Sequence, residues 1–115
     1  MRERREHVRV QTPILVEFST PGQTKVENSF TQDVSESGLR FPTAAKLEIG
    51  QELNLTLRMA ARNTTLQANG DVVWIRETSR LSAPQYGIGV RFRWVKDPDR
   101  QRLLRHLDNL IQPSV

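Results

Sequence analysis

The spacing of its apolar residues constrains this 115-residue chain most: as far as residue 97 they fall in short runs on alternate positions. An extended backbone points successive side chains to opposite faces, so alternation marks strands with one buried side. Val8, Val10, Ile14, Val16 and Phe18 share one parity, while Arg9, Gln11 and Glu17 take the other. Pro13 within that run implies a bulge or an edge position, because it cannot donate to a ladder. Pro21-Gly22 fits a type II turn, proline presetting φ and glycine accepting the positive φ that follows. Val26, Phe30 and Val34 carry the even parity onward, and Leu39 and Phe41 begin a short strand that Pro42 curtails. Leu53, Leu55, Leu57 and Met59 make a one-faced strand. Leu66 through Ile75 shifts phase, Leu66 and Ala68 being even and Val73 and Ile75 odd; a bulge near Gly70 reconciles them. Tyr86, Ile88, Val90, Phe92 and Trp94 form the last strand, with Tyr86 and Trp94 expected in the core.

After Asp97 the period changes. Asp97 reads as an N-cap, Pro98 as the first helical residue and Asp99 as a charge suited to the positive end of the helix dipole. Leu103, Leu104, Leu107, Leu110 and Ile111 line one face, Arg100, Arg102 and Arg105 the other, which predicts a helix over about 98–111. Many antiparallel strands in so short a chain suggest a small closed or nearly closed barrel, with the leucine face covering a mouth or flank. Residues 8–115 are expected to form this single domain. Residues 1–7 are polar and patternless, an expected mobile arm when no ligand is bound.

Composition removes several function classes. The chain has no cysteine, so disulfides, thiolate metal sites and cysteine nucleophiles are out. No apolar run approaches the roughly 20 residues of a membrane span, and charged residues rather than an apolar segment follow Met1. A cytoplasmic location is the expectation. His7 and His106 are far apart, with no clustered carboxylates to complete a metal site, and Ser35 has no histidine at a nucleophile-elbow spacing. No catalytic constellation is visible, and no cofactor is implied. The formal charge is +4 and arginine far outnumbers lysine, which favours an anionic partner without naming it.

Two strings carry the chemistry. Arg4-Arg5-Glu6-His7-Val8-Arg9 offers guanidinium forks, which pair bidentately with phosphate and stack on flat rings. Asp33-Val34-Ser35-Glu36-Ser37-Gly38 offers a carboxylate, a hydroxyl and a glycine. A carboxylate can take two hydrogen bonds from the adjacent N–H groups of guanine. Arg9, Asp33 and Ser35 are odd in segments whose even residues are apolar, so both strings should face outward. Alone, the first string would be a solvated arm and the second an ordinary Asx-type turn. Together they resemble the Arg-x-x-x-Arg and Asp/Asn-x-Ser-x-x-Gly motifs of PilZ domains, bacterial receptors for cyclic di-GMP. Arg5 and Arg9 supply the first motif; Asp33, Ser35 and Gly38 supply the second. The likeness extends through Gly50-Gln51-Glu52-Leu53, Gly70-Asp71-Val72-Val73-Trp74 and Gly87-Ile88-Gly89-Val90-Arg91-Phe92.

The resemblance implies an all-β fold, a six-stranded antiparallel barrel with a C-terminal helix. It implies a non-enzymatic receptor in which Arg4, Arg5 and Arg9 clamp phosphates and stack on guanines, Asp33 and Ser35 hydrogen-bond the ligand, and Gly38 shapes the turn. Arg4, just before the first motif, points to two cyclic di-GMP molecules per chain. Trp74 stacks on a guanine if the Gly70 bulge turns it outward, and is a core residue if there is no bulge. Ordering of the arm would then signal through an unidentified protein partner, in motility, surface attachment or exopolysaccharide production. A general nucleic-acid-binding barrel is the rival reading, weakened because most aromatics lie in apolar phase rather than among exposed basic residues. A PilZ-like adaptor that binds only proteins is a third, opposed by the intact motifs.

Overall fold

The alternating segments do become strands, and the longest of them pair with their sequence neighbours. The structure, a computed structural model, describes residues 9–59, 64–80 and 83–111. Its elements are β1 (Leu15–Ser19), β2 (Glu27–Phe30), β3 (Asp33–Ser35), β4 (Gly38–Thr43), β5 (Glu52–Met59), β6 (Thr64–Arg80), β7 (Ala83–Val95) and α1 (Asp99–Ile111). They form one antiparallel sheet in the order β2-β1-β5-β6-β7-β4-β3. The sheet curls so that Val10, ahead of β1, bridges Val34 on β3 at the far edge. The Ser29 hydroxyl donates to the Pro42 carbonyl and ties β2 to β4 across the same seam.

Seven strands stand where six were expected, because residues 26–34 are not one strand. The break falls at Thr31. Its N–H donates to the Ile14 carbonyl, and its hydroxyl accepts from the Ile14 N–H and donates to the Thr12 carbonyl. Beyond it the chain leaves β1 and pairs with β4. The parity breaks with it: Val26 and Phe30 are exposed, whereas Val34 is fully buried. The first strand is likewise shorter than its alternation suggested. Val10 makes only the isolated bridge, and regular pairing begins at Leu15, after Pro13.

Other turns follow the sequence closely. Gly22 has a φ of 85° and the Gln23 N–H closes on the Thr20 carbonyl at 3.0 Å, as a proline–glycine turn requires. In β5 the even residues of the sequence face solvent while Leu53, Leu55, Leu57 and Met59 enter the core with Val16, Phe18, Phe41 and Ile88.

The β6–β7 pair contains two register slips rather than one. Asn69 opposes Trp94 and Gly70 opposes Phe92, so Arg93 is an extra residue on β7. Val72 opposes Val90 and Trp74 opposes Gly89, so Val73 is an extra residue on β6. Each insertion flips the side chains that follow it. Val73 is therefore exposed rather than core, Ile75 packs against the core, and Trp74 faces out. The Arg93 slip corrects the expectation for Trp94: it turns to solvent at 51% exposure, and Val95 takes the buried position instead.

α1 starts one residue later than expected, at Asp99. The carboxylate that anchors its start is Asp99 rather than Asp97: it accepts the Gln67 N–H at 2.9 Å and pairs with Arg102 at 3.0 Å. Lys96 N–H donates to the Gln67 carbonyl, so one β6 residue holds both the strand end and the helix start. Leu103 and Leu107 are buried in the same core as the sheet. No helix is long and apolar enough to cross a membrane among the described residues.

Candidate ligand-binding site

The Val10–Val34 bridge is what brings the two sequence strings together. Its two hydrogen bonds, Val10 N–H to Val34 carbonyl at 2.8 Å and the reverse at 2.9 Å, set Arg9 beside Asp33 although 24 residues separate them. Both valines turn inward, so their neighbours turn outward, as parity predicted. Outward does not mean exposed here. Asp33 is 4% exposed and Ser35 is fully buried, because arginines and the hairpin loop cover them.

Asp33 is held from two sides. Arg9 Nε donates to its Oδ1 at 2.7 Å; Arg40 donates to its Oδ2 through Nε at 2.9 Å and through Nη2. Burial pushes the Asp33 carboxyl up, but the hydrogen bonds and charges of Arg40 and Arg9 outweigh it and hold the group below its ordinary value. The same hydrogen bond raises Arg40. The geometry arises from a tight hairpin: Ser35 opposes Gly38 across the two-residue loop, so Asp33 directly opposes Arg40.

Ser35 organises the loop. Its Oγ accepts the Ser37 N–H at 3.2 Å, lies 3.1 Å from Ser37 Oγ, and is 3.5 Å from Arg9 Nη1. This is a serine turn, so the bland turn reading of the second string describes Ser35 rather than Asp33. Gly38 supplies clearance, not an unusual backbone angle: a Cβ there would meet the Val90 carbonyl oxygen at 2.0 Å. Nothing larger than glycine fits between β4 and β7 at that point.

Trp74 lies on a glycine floor. A Cβ on Gly89 would come within 3.0 Å of the Trp74 Cβ, and one on Gly87 within 3.3 Å of its ring. The Arg40 guanidinium sits 5.6 Å above the ring centroid, inside cation–π range. Arg40 and Trp74 together form a ridge between two clefts. One, of about 280 Å³, is also bordered by Arg9, Gly38, Gly89 and Arg91; the other, of about 250 Å³, by Gln32, Arg76, Tyr86 and Gly87. Three arginines border the first cleft, Arg9 and Arg40 of them paired to the buried Asp33, a cationic field that attracts anions.

Of the sequence-predicted site residues, Arg9, Asp33, Ser35, Gly38 and Trp74 converge here. Arg4 and Arg5 lie outside the described residues. Arg40 was missed, although a signal existed: a hairpin with a two-residue loop between Ser35 and Gly38 pairs Asp33 with Arg40 by counting alone. Among the described residues no three His, Cys, Asp or Glu side chains group to hold a metal ion.

The family model of the PilZ domain matches residues 3–109. This chain is a PilZ domain. Several solved structures share its fold at low identity. The Bacillus subtilis inhibitor of motility (MotI/DgrA) aligns with a TM-score of 0.77 at 17% identity, over 93% of this chain and 51% of that one. The PilZ domain of YcgR from Escherichia coli, solved with c-di-GMP, aligns at 0.73 and 16%, over 94% and 92%. The MrkH–c-di-GMP complex from K. pneumonia aligns at 0.76 and 19%, over 95% and 53%. The chain thus spans about half the length of MotI and MrkH and nearly all of the YcgR domain. No functionally curated protein matches its sequence.

Proposed function

We propose that this PilZ domain is a receptor for cyclic di-GMP, acting by binding rather than catalysis. The observation that carries the reading is the Arg9–Asp33 pair, which joins the two PilZ motifs in one cationic corner. The YcgR PilZ domain and MrkH, which share this fold, were solved with that ligand, which supports the assignment. The ligand contacts proposed are Arg4, Arg5 and Arg9 for phosphates and guanine faces, Ser35 and Gly38 for the loop that borders them, and Trp74 for stacking. Asp33 belongs to the site as the acid that fixes its arginines.

The energies are adequate. A micromolar complex requires roughly 8 kcal/mol, and each charge-assisted hydrogen bond contributes about 1.5–3 kcal/mol. Two such bonds from each of three arginines, with one stacked base at about 1–3 kcal/mol, supply about 10–21 kcal/mol, against about 1–2 kcal/mol deducted for each of the few residues that order with the ligand. The proposal has a finer part. Residues 1–7 act as an arm that orders on the ligand and changes the surface offered to a protein partner in the cytoplasm. The two clefts that meet at Arg40 and Trp74 favour two ligands per chain.

Calorimetric titration of the purified protein with cyclic di-GMP, with cyclic di-AMP and GTP as controls, tests the assignment and the stoichiometry together. Arg9→Ala is expected to lower affinity by at least tenfold. An unchanged affinity in that variant removes the basis of the proposal, and one ligand per chain removes the two-ligand mode.

A further inference from the structure

Guanine's Watson–Crick edge needs two acceptors side by side, and the natural candidate is a carboxylate. Here that carboxylate is spoken for. Oδ1 of Asp33 receives Arg9, Oδ2 receives both Nε and Nη2 of Arg40, and the group is 4% exposed. A guanine could reach Asp33 in this way only by evicting a guanidinium. The arginines, by contrast, keep unused donors. Arg40 spends its Nε–Nη2 side on Asp33, which leaves the Nη1–Nη2 end of the fork without a partner among the described residues. Arg40 borders both clefts, and its guanidinium lies over Trp74.

A two-donor fork of this kind matches the O6 and N7 acceptors of guanine, the commonest bidentate arginine–base contact. Adenine carries an amino donor where guanine carries O6, so the same fork repels it. In a cyclic dinucleotide neither base is paired, and that edge is open. We infer that Arg40, which lies outside both PilZ motifs, reads the O6/N7 edge of a guanine beside Trp74, and that Asp33 acts as the positioning residue that aims it. The inference rests on the cyclic di-GMP reading and deepens it by naming the residue that distinguishes guanine from adenine. The register of β3 on β4 makes the aim rigid: Arg40 is fixed opposite Asp33 by the ladder and needs no loop movement to present its fork.

The test uses the full chain and three ligands: cyclic di-GMP, its 7-deaza analogue, in which N7 is replaced by C–H, and cyclic di-AMP. Wild type is expected to bind the deaza analogue about tenfold more weakly than cyclic di-GMP, in keeping with the worth of a bidentate base contact. Arg40→Gln is expected to lose about tenfold for cyclic di-GMP and to bind the two guanine ligands alike. Arg40→Lys keeps the charge near Asp33 without the planar fork, and it should also narrow the gap between them. A purely structural role for Arg40 would weaken all ligands equally and leave the ratio untouched. The inference is overturned if wild type ignores the loss of N7, or if the ratio survives in Arg40→Gln or, where that variant does not fold, in Arg40→Lys. A wild type that binds no cyclic di-GMP overturns the receptor reading itself, and this inference with it.

Discussion

Two corners of the sheet contain the same ingredients, a tryptophan, an arginine and carboxylates, and assemble them differently. At the first, Arg40 is tied to a buried Asp33 and covers Trp74, which rests on Gly87 and Gly89. At the second, Arg93 lies 3.3 Å from Glu52 and 3.4 Å from Asp71, both of them partly exposed, beside a Trp94 that is 51% exposed. Both tryptophans are turned outward by an inserted strand residue, Val73 in one case and Arg93 in the other. Exposed ion pairs of the second kind contribute about 0–1 kcal/mol. Residue types therefore do not by themselves set the proposed binding corner apart. What separates the two is a carboxylate withdrawn from water and a floor of glycines that lets an indole lie flat.

The comparison can be broken at three depths. The largest effect is expected from Gly38→Ala, whose methyl would meet the Val90 backbone oxygen, an atom that cannot step aside. A destabilisation of about 3 kcal/mol should appear in urea unfolding; a variant as stable as wild type would mean that the β3–β4 hairpin can lift from β7. Next comes Asp33→Asn, expected to cost about 2 kcal/mol near neutral pH through weakened charged hydrogen bonds, against less than about 0.5 kcal/mol for Asp71→Asn. The Asp33 effect has a defined pH dependence. Its folded-state value lies below 3.8, so the carboxylate's contribution is complete above that pH and fades as pH falls through the folded value. The difference between wild type and Asp33→Asn should accordingly shrink in acid, and a difference that grew there would refute the pairing. The smallest effect sharpens the contrast between the indoles. Trp74→Ala should weaken cyclic di-GMP binding about tenfold and Trp94→Ala by less than about twofold, as read by calorimetry. Equal losses would dissolve the distinction.

Much of this architecture was legible beforehand because one-faced burial writes a simple pattern. β5, the last strand as far as Phe92 and the leucine face of α1 could be read from parity and helical spacing. The failures have specific physical causes. A strand's own parity reports only insertions within itself, so the phase change in β6 was visible but assigned to Gly70. The slip in β7 was hidden because an apolar Trp94 looks like a core residue in either phase. Val26, just before the edge strand β2, and Phe30 at its end keep the alternation with their faces to solvent, and no local rule marks that. The residues of the candidate site were legible as motifs, but their meeting depended on a bridge between residues 10 and 34 that periodicity cannot see. Arg40 needed one further step, counting across a hairpin.

The Val10–Val34 bridge has a thermodynamic consequence. It stitches the start of the chain to the last edge of the sheet with only two backbone hydrogen bonds, and the proposed ligand would be gripped from both sides of that stitch. Occupancy then acts as a clasp on the seam. At a hundred times its dissociation constant, a molecule bound only by the folded state adds about 2.7 kcal/mol to stability, comparable to the roughly 1–3 kcal/mol that such a pair of bonds supplies. Messenger concentration would thus be written directly into the melting temperature of the domain.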